Sequence, residues 1–194
     1  MSTPEKLDVP VVVVSGLPRS GTSMMMKMLD AGGIPVLTDK IRTADEDNPK
    51  GYYEFERVKQ IATDQAWLPE ARGKVVKIIS FLLLKAPPTY RYKVIFMRRA
   101  LPEVLASQQQ MLLRRGDTSP QDDVRMAELY EKHLTMAHAW LEKQPNVEVL
   151  YVDHRQAVES PLETAQRVAA FLGGDMDPTV MAAEVDAKLH RQKT

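Results

Sequence analysis

The feature that most constrains this chain is Val11-Val12-Val13-Val14-Ser15-Gly16-Leu17-Pro18-Arg19-Ser20-Gly21-Thr22-Ser23, an apolar run that breaks into a glycine-bracketed loop. Four consecutive valines suit a strand buried on both faces. Gly16 and Gly21 enclose four residues, and Thr22 and Ser23 follow with hydroxyls, which is the spacing of a phosphate-cradling loop with one change. Thr22 stands where nucleotide triphosphatases carry lysine, and the loop's only cation is Arg19. A helix starting near Gly21 aims unpaired amides and the positive end of its dipole at the loop, an arrangement suited to an anion. Arg19 adds a planar two-pronged donor. The same spacing also fits a strand-to-helix turn that holds no ligand. The segment after it, with Met24, Met25, Met28 and Leu29 and a stop at Asp30-Ala31-Gly32-Gly33, reads as core packing.

Strand and helix signals alternate along the rest of the chain. Lys74 to Ile79, Tyr92 to Met97 and Val147 to Val152 read as further strands. Tyr52 to Ala66 is helix-compatible, and Leu101 to Leu113 carries apolar residues at helical spacing. Ser119-Pro120-Gln121-Asp122 reads as the cap of a helix whose stripe is Met126, Leu129, Tyr130, Leu134, Ala137, Trp140 and Leu141. Ser160-Pro161-Leu162-Glu163 reads as a capping box opening a helix that runs to Leu172. Pro35 to Gly51, with Asp45-Glu46-Asp47-Asn48-Pro49, is a long polar loop, either a lid over a ligand or a solvated acidic stretch. The pattern predicts one α/β domain over residues 1–194, P-loop-like, with three α/β/α layers around a central parallel sheet of about four to five strands. Ligands of such sheets bind at the carboxyl ends of the strands. The residues to weigh there are Arg19, Lys77, Arg98, Arg99 and Asp153.

Composition narrows the chemistry. The 26 basic and 26 acidic side chains balance, which argues against a bulk polyanion such as nucleic acid, so any anion is bound locally. The absence of cysteine excludes disulfides, thiolate catalysis and thiolate-bound metal. His133, His138, His154 and His190 show no metal-ligand spacing, and no metal is expected. Met1 to Asp8 lacks a signal-type apolar stretch and no later run reaches membrane-span length, so the expectation is a cytoplasmic protein without a membrane span.

A cation after each of three strands, Arg19, Lys77 and Arg98 or Arg99, points to a substrate with more than one anionic group. Phe96-Met97-Arg98-Arg99-Ala100-Leu101-Pro102-Glu103-Val104-Leu105-Ala106-Ser107 resembles the strand-loop-helix segment with which sulfotransferases bind the 3′-phosphate of 3′-phosphoadenosine 5′-phosphosulfate (PAPS). The resemblance implies that Arg99 and Ser107, eight residues apart, grip that phosphate. Gly16 to Ser23 is similar to the family's 5′-phosphosulfate loop in the arginine-bearing form of tyrosylprotein sulfotransferases, which implies donor contacts from Arg19, Ser20, Gly21, Thr22 and Ser23. Asn48 to Glu54, Val149 to Asp153 and Phe171-Leu172-Gly173 are similar to segments of small bacterial members.

The resemblance implies transfer of a sulfuryl group from PAPS to a hydroxyl or amine, without metal, leaving adenosine 3′,5′-bisphosphate. It also implies that Lys77 stabilises the bridging oxygen; as a plain strand-end lysine it would only reach for solvent. The cytosolic branch carries a catalytic histidine two residues after that lysine, where this chain has Ile79. Asp39, by analogy with the tyrosylprotein branch, and Glu54, from the Gly51-Tyr52-Tyr53-Glu54 segment, are the candidate bases. The family's late 3′-phosphate loop has no clear match in Asp175 to Thr194, where Arg191 and Lys193 read as helix-end solvation. The rival reading is a P-loop small-molecule kinase or nucleotidase, with Asp153 and Ser23 holding magnesium. A non-catalytic nucleotide-binding protein is the third.

Overall fold

The computed structural model describes residues 9–39, 53–117 and 122–185. Its centre is β1 (Val11–Gly16), with all six residues buried. β2 (Val75–Lys77), β3 (Tyr92–Arg98) and β4 (Val147–Asp153) complete a parallel sheet in the order β2-β1-β3-β4. Successive side chains point to opposite faces of a strand, and the valine run divides accordingly. Val11 and Val13 join Val76, Val94 and Phe96 in one core. Val12 and Val14 join Val75, Ile95, Met97 and Val152 in the other.

Helices cover both faces. The second core is closed by α1 (Thr22–Ala31), α6 (His154–Glu159), α7 (Pro161–Leu172) and α8 (Pro178–Ala183), through Met25, Met28, Ala157, Val168 and Met181. The first is closed by α2 (Leu68–Ala71), α3 (Ser80–Leu83) and α5 (Asp123–Lys143), through Leu68, Leu83, Ala137 and Leu141. α4 (Leu101–Arg114) packs Val104 against Leu17 of the loop and Tyr130 of α5. The three layers and parallel sheet agree with the sequence reading, with four strands among the described residues.

Four local expectations need correction. Tyr52 to Ala66 is no continuous helix; its described part has one 3-10 turn at Glu56–Gln60. Phe55, Val58 and Ile61 pack into the first core at a spacing of three, the period of that turn. Asp64 then accepts from the amide of Ala66 at 3.1 Å, a local bond that competes with helix propagation. α5 is capped by Asp122, whose side chain accepts from the Arg125 amide at 2.9 Å, while Ser119, Pro120 and Gln121 lie outside the described residues. A charged cap at that point supplies what the serine was expected to give. In the α5 stripe, Leu129 faces solvent at 53% exposure, and His133 is buried instead. The α7 helix starts at Pro161 as expected, yet the side chain of Ser160 makes no capping bond because the chain arrives directly from α6.

His133 is held between elements that are distant in sequence. Its Nε2 lies 2.8 Å from Ser80 Oγ and its ring stacks on Phe81 with centroids 3.7 Å apart. Burial lowers its pKa from the ordinary 6.5. The unfolded chain therefore takes up this proton first as the pH falls, so the stability contribution is full above about 6.5 and is lost as the pH drops through the folded value. Denaturant unfolding between pH 7.5 and 5.5 should show stability falling on the acid side. His133→Gln should flatten that slope, leaving the part due to His138, which burial also lowers.

Candidate functional site

The strand order places a topological switch at the carboxyl ends of β1 and β3, because the chain passes from β1 to β2 on one side and then to β3 on the other. Crevices form at such points. Gly16 pairs with Met97, so the loop after β1 and the start of α4 leave the sheet side by side. On the other flank, Lys77 pairs with Val14.

Glycine is required at both ends of the loop. Gly16 has φ +142°, and a Cβ there would sit 2.6 Å from the Met97 carbonyl oxygen. Gly21 has φ +97°, and its Cβ would sit 2.6 Å from His154 Cδ2. Arg19 also adopts a left-handed conformation, φ 68°, that costs a non-glycine residue about 1–2 kcal/mol. Two contacts hold it there. Its Nε donates to Ser107 Oγ of α4 at 3.0 Å, and its carbonyl oxygen accepts from Arg99 Nη1 at 3.0 Å. The loop arginine is thus joined to both residues expected to read a second phosphate. Ser20 plays another part, since its hydroxyl donates to the Leu17 carbonyl oxygen at 2.7 Å and shapes the loop from within. The amides at the start of α1, near Thr22 and Ser23, have no partner within the helix and surround the loop's mouth.

The two arginines after β3 separate clearly. Arg98 is half exposed and pairs with Asp153 at 2.9 Å. Arg99 is buried against Glu103, its Nε 3.0 Å from Oε2, besides reaching the Arg19 carbonyl. Both line a cavity of about 460 Å³ with Ala100, Glu103, Asp153 and Arg155 among its walls.

On the β2 flank, Lys77 is only 8% exposed and its Nζ lies 3.7 Å from Glu54 Oε1. Asp39 belongs to the same cluster in another capacity: its carboxylate accepts from the Glu56 amide at 2.6 Å, and its own amide donates to the Glu54 carbonyl oxygen at 3.3 Å. Thr38 Oγ1 donates to that carbonyl as well, at 2.8 Å. Glu54 is thus paired with Lys77, and Asp39 helps hold the segment that carries Glu54. Asn48 to Tyr52, Arg191 and Lys193 lie outside the described residues.

Glu103, Arg155 and His154 were not anticipated as site residues. The Arg99 to Glu103 spacing of four was a legible charge pair on a helix, whereas nothing near Arg155 announces its approach to Glu103, 52 positions earlier, nor near His154 its approach to Gly21.

Asp153 bears on the phosphoryl-transfer alternative. It sits on β4, which β3 separates from β1, and its carboxylate is engaged by Arg98. Among the described residues no helix is long and apolar enough to cross a membrane.

The family described as "Sulfotransferase domain" matches residues 10–190. Among solved structures, the chain is similar to the mouse sulfotransferase SULT7A1 complexed with PAP, at a TM-score of 0.59 and 18% identity over 95% of this chain and 67% of that one. It is similar to a sulfotransferase from Alicyclobacillus acidocaldarius at a TM-score of 0.50 and 14% identity, covering 95% of this chain and 97% of that one. The sulfotransferase domain from the curacin biosynthetic pathway gives 0.50 and 13%, covering 93% and 88%. At these identities the structures speak to the fold. No curated protein matches the sequence.

Gly21→Ala should destabilise the protein by about 1–3 kcal/mol through the left-handed backbone and the His154 ring. Adding His154→Ala should recover part of that loss. Additive costs in the double-mutant cycle would show that the ring is not the obstacle.

Proposed function

We propose, because this chain belongs to the sulfotransferase domain family, that it moves a sulfuryl group from PAPS to a hydroxyl or amine of an acceptor and releases PAP, adenosine 3′,5′-bisphosphate. The observation that carries the nucleotide assignment is the bonded chain Ser107–Arg19–Arg99, which unites a phosphate loop with a second arginine site at the β1/β3 switch point. A nucleotide with phosphates at both its 5′ and 3′ positions has the two anionic ends such a pair of sites needs. The glycine loop is the right cradle for the 5′ end, since it leads into the N-terminus of α1, whose unpaired amides favour an anion, and only glycine fits its two corners. The PAP named in the mouse neighbour's description is consistent with this ligand.

In the reaction, the acceptor oxygen or nitrogen forms a bond to sulfur as the bond from sulfur to the 5′-phosphate oxygen breaks. Charge grows on the departing phosphate. Arg19, the amides of Gly21 to Ser23, and Lys77 are the groups assigned to receive it, and preorganised donors of this kind act most strongly where charge develops. The acceptor's proton goes to a carboxylate. Glu54, beside Lys77, is assigned that role, with Asp39 supporting it. Ser20 serves the donor through the shape it gives the loop.

A kinase reading fares worse, since it needs a magnesium carboxylate near the loop and Asp153 is two strands from β1.

Calorimetry should show PAP binding without metal and 5′-AMP binding far more weakly. Arg99→Ala should weaken PAP about tenfold to a hundredfold, the scale of a lost charge-assisted bond. Equal affinity for PAP and 5′-AMP would remove the 3′-phosphate assignment.

Single-turnover donor consumption at saturating PAPS should fall on the order of 100-fold in Arg19→Ala and less in Arg19→Lys, which keeps the charge but loses the fork. PAP affinity should change less than the rate. An unchanged saturated rate with weaker binding would make Arg19 a ground-state clamp. Glu54→Gln should lower turnover by about 100-fold or more with PAP affinity retained, and Asp39→Asn should do so less. The reverse ranking would exchange the two roles.

A further inference from the structure

Among the described residues Glu103 is the only buried carboxylate, at 2% exposure. Its two oxygens are divided between arginines from different parts of the chain. Oε2 accepts from Arg99 Nε at 3.0 Å, and Oε1 accepts from Arg155 Nη2 at 3.1 Å. Arg99, beneath the loop, suffices to neutralise this carboxylate, yet a second guanidinium has been brought to it from α6. Two cations sharing one anion leave one unit of positive charge.

That charge lies at the wall of the 460 Å³ cavity, which Arg99, Glu103 and Arg155 line together. Arg98 also lines it, but Asp153 balances that charge at 2.9 Å. Glu159, exposed on the same wall, is its third carboxylate and makes the lining formally neutral, but it forms no ion pair with Arg155, so the surplus is local to the Glu103 cluster. The Arg155 side chain is 54% exposed and anchored to Glu103 through one of its five N–H groups, so most of its planar fork is open to a ligand in the cavity. A guanidinium fork matches a phosphate monoester, which carries nearly two negative charges and three acceptor oxygens.

We propose that Arg155 is a second arginine for the phosphate that Arg99 receives, the 3′-phosphate of the nucleotide, and that Glu103 is the positioning residue holding both guanidiniums around it. The inference rests on the nucleotide reading given above. It accounts for two arginines on one buried carboxylate and for their placement at one cavity wall. Arg155 thereby becomes a specificity residue: it distinguishes nucleotides with a 3′-phosphate from those without one.

The test is calorimetric titration of wild type, Arg155→Ala, Arg155→Lys and Glu103→Gln with PAP and with 5′-AMP, with thermal unfolding of each variant. Arg155→Ala should weaken PAP about tenfold, leave 5′-AMP within about twofold, and leave Tm nearly unchanged because Glu103 keeps Arg99. Arg155→Lys should fall between, retaining the charge without the fork. Glu103→Gln should narrow the preference for PAP over 5′-AMP while 5′-AMP affinity persists. Should Arg155→Ala bind PAP like wild type while Arg99→Ala loses its preference, Arg155 is a surface ion pair and the inference is overturned. Should Glu103→Gln lose both nucleotides equally, its positioning role is overturned. If wild type itself fails to prefer PAP, the nucleotide reading falls and takes this inference with it.

Discussion

Everything in the site depends on the burial of β1. Its six residues are buried and all pair with β3 on one edge, while Val12 to Val14 pair with β2 on the other. A slip of one residue would exchange valine for valine on both faces, so the register rests on the end of the strand, where only a glycine fits against the Met97 carbonyl oxygen. Fixed register at Gly16 and Met97 then brings the glycine loop alongside the start of α4, within reach of a single hydrogen bond between Arg19 and Ser107.

The site keeps its cations in a neutral chain by local compensation. Arg98 has Asp153, Lys77 has Glu54, and Arg99 has Glu103. Each pairing lowers the cost of holding a charge away from bulk water. Where Arg155 joins Glu103, two guanidiniums share one carboxylate, a local surplus within a cavity wall whose arginines and carboxylates are equal in number. The left-handed backbone of Arg19 adds a strain of about 1–2 kcal/mol, held in place by the two contacts that link it to α4 and Arg99. Strain persists at a position when its surroundings over-determine it.

Local patterns were legible wherever one segment's own chemistry dictated the outcome. The four strands, the loop, α4 and the start of α7 all fall where apolar spacing and turn residues put them. The segment read as helix from Tyr52 to Ala66 misleads because Phe55, Val58 and Ile61 fit both a helix and a three-residue period, and the side chain of Asp64 competes with the helix by bonding the backbone. α3, α6 and α8, each of four to six residues, are too short to leave a periodic trace and owe their stability to the cores they cover.

The sequence by itself determined a parallel α/β layer fold, a glycine loop with threonine at the usual lysine position and an arginine as its only cation, and cations following three strands. These are properties of contiguous residues, and spacing along the chain is enough to express them. Only the tertiary structure decided which arginine after β3 turns toward the loop, which carboxylate meets Lys77, and that Arg155 shares Glu103 with Arg99. Those outcomes depend on side chains brought together from separate stretches of the chain, Glu54 with Lys77, Glu103 with Arg155 and Arg19 with Arg99, or chosen between neighbours by burial. Spacing in sequence carries no information about such distances; the register of β1 against β3, and the return of the chain from β4 into α6, create them.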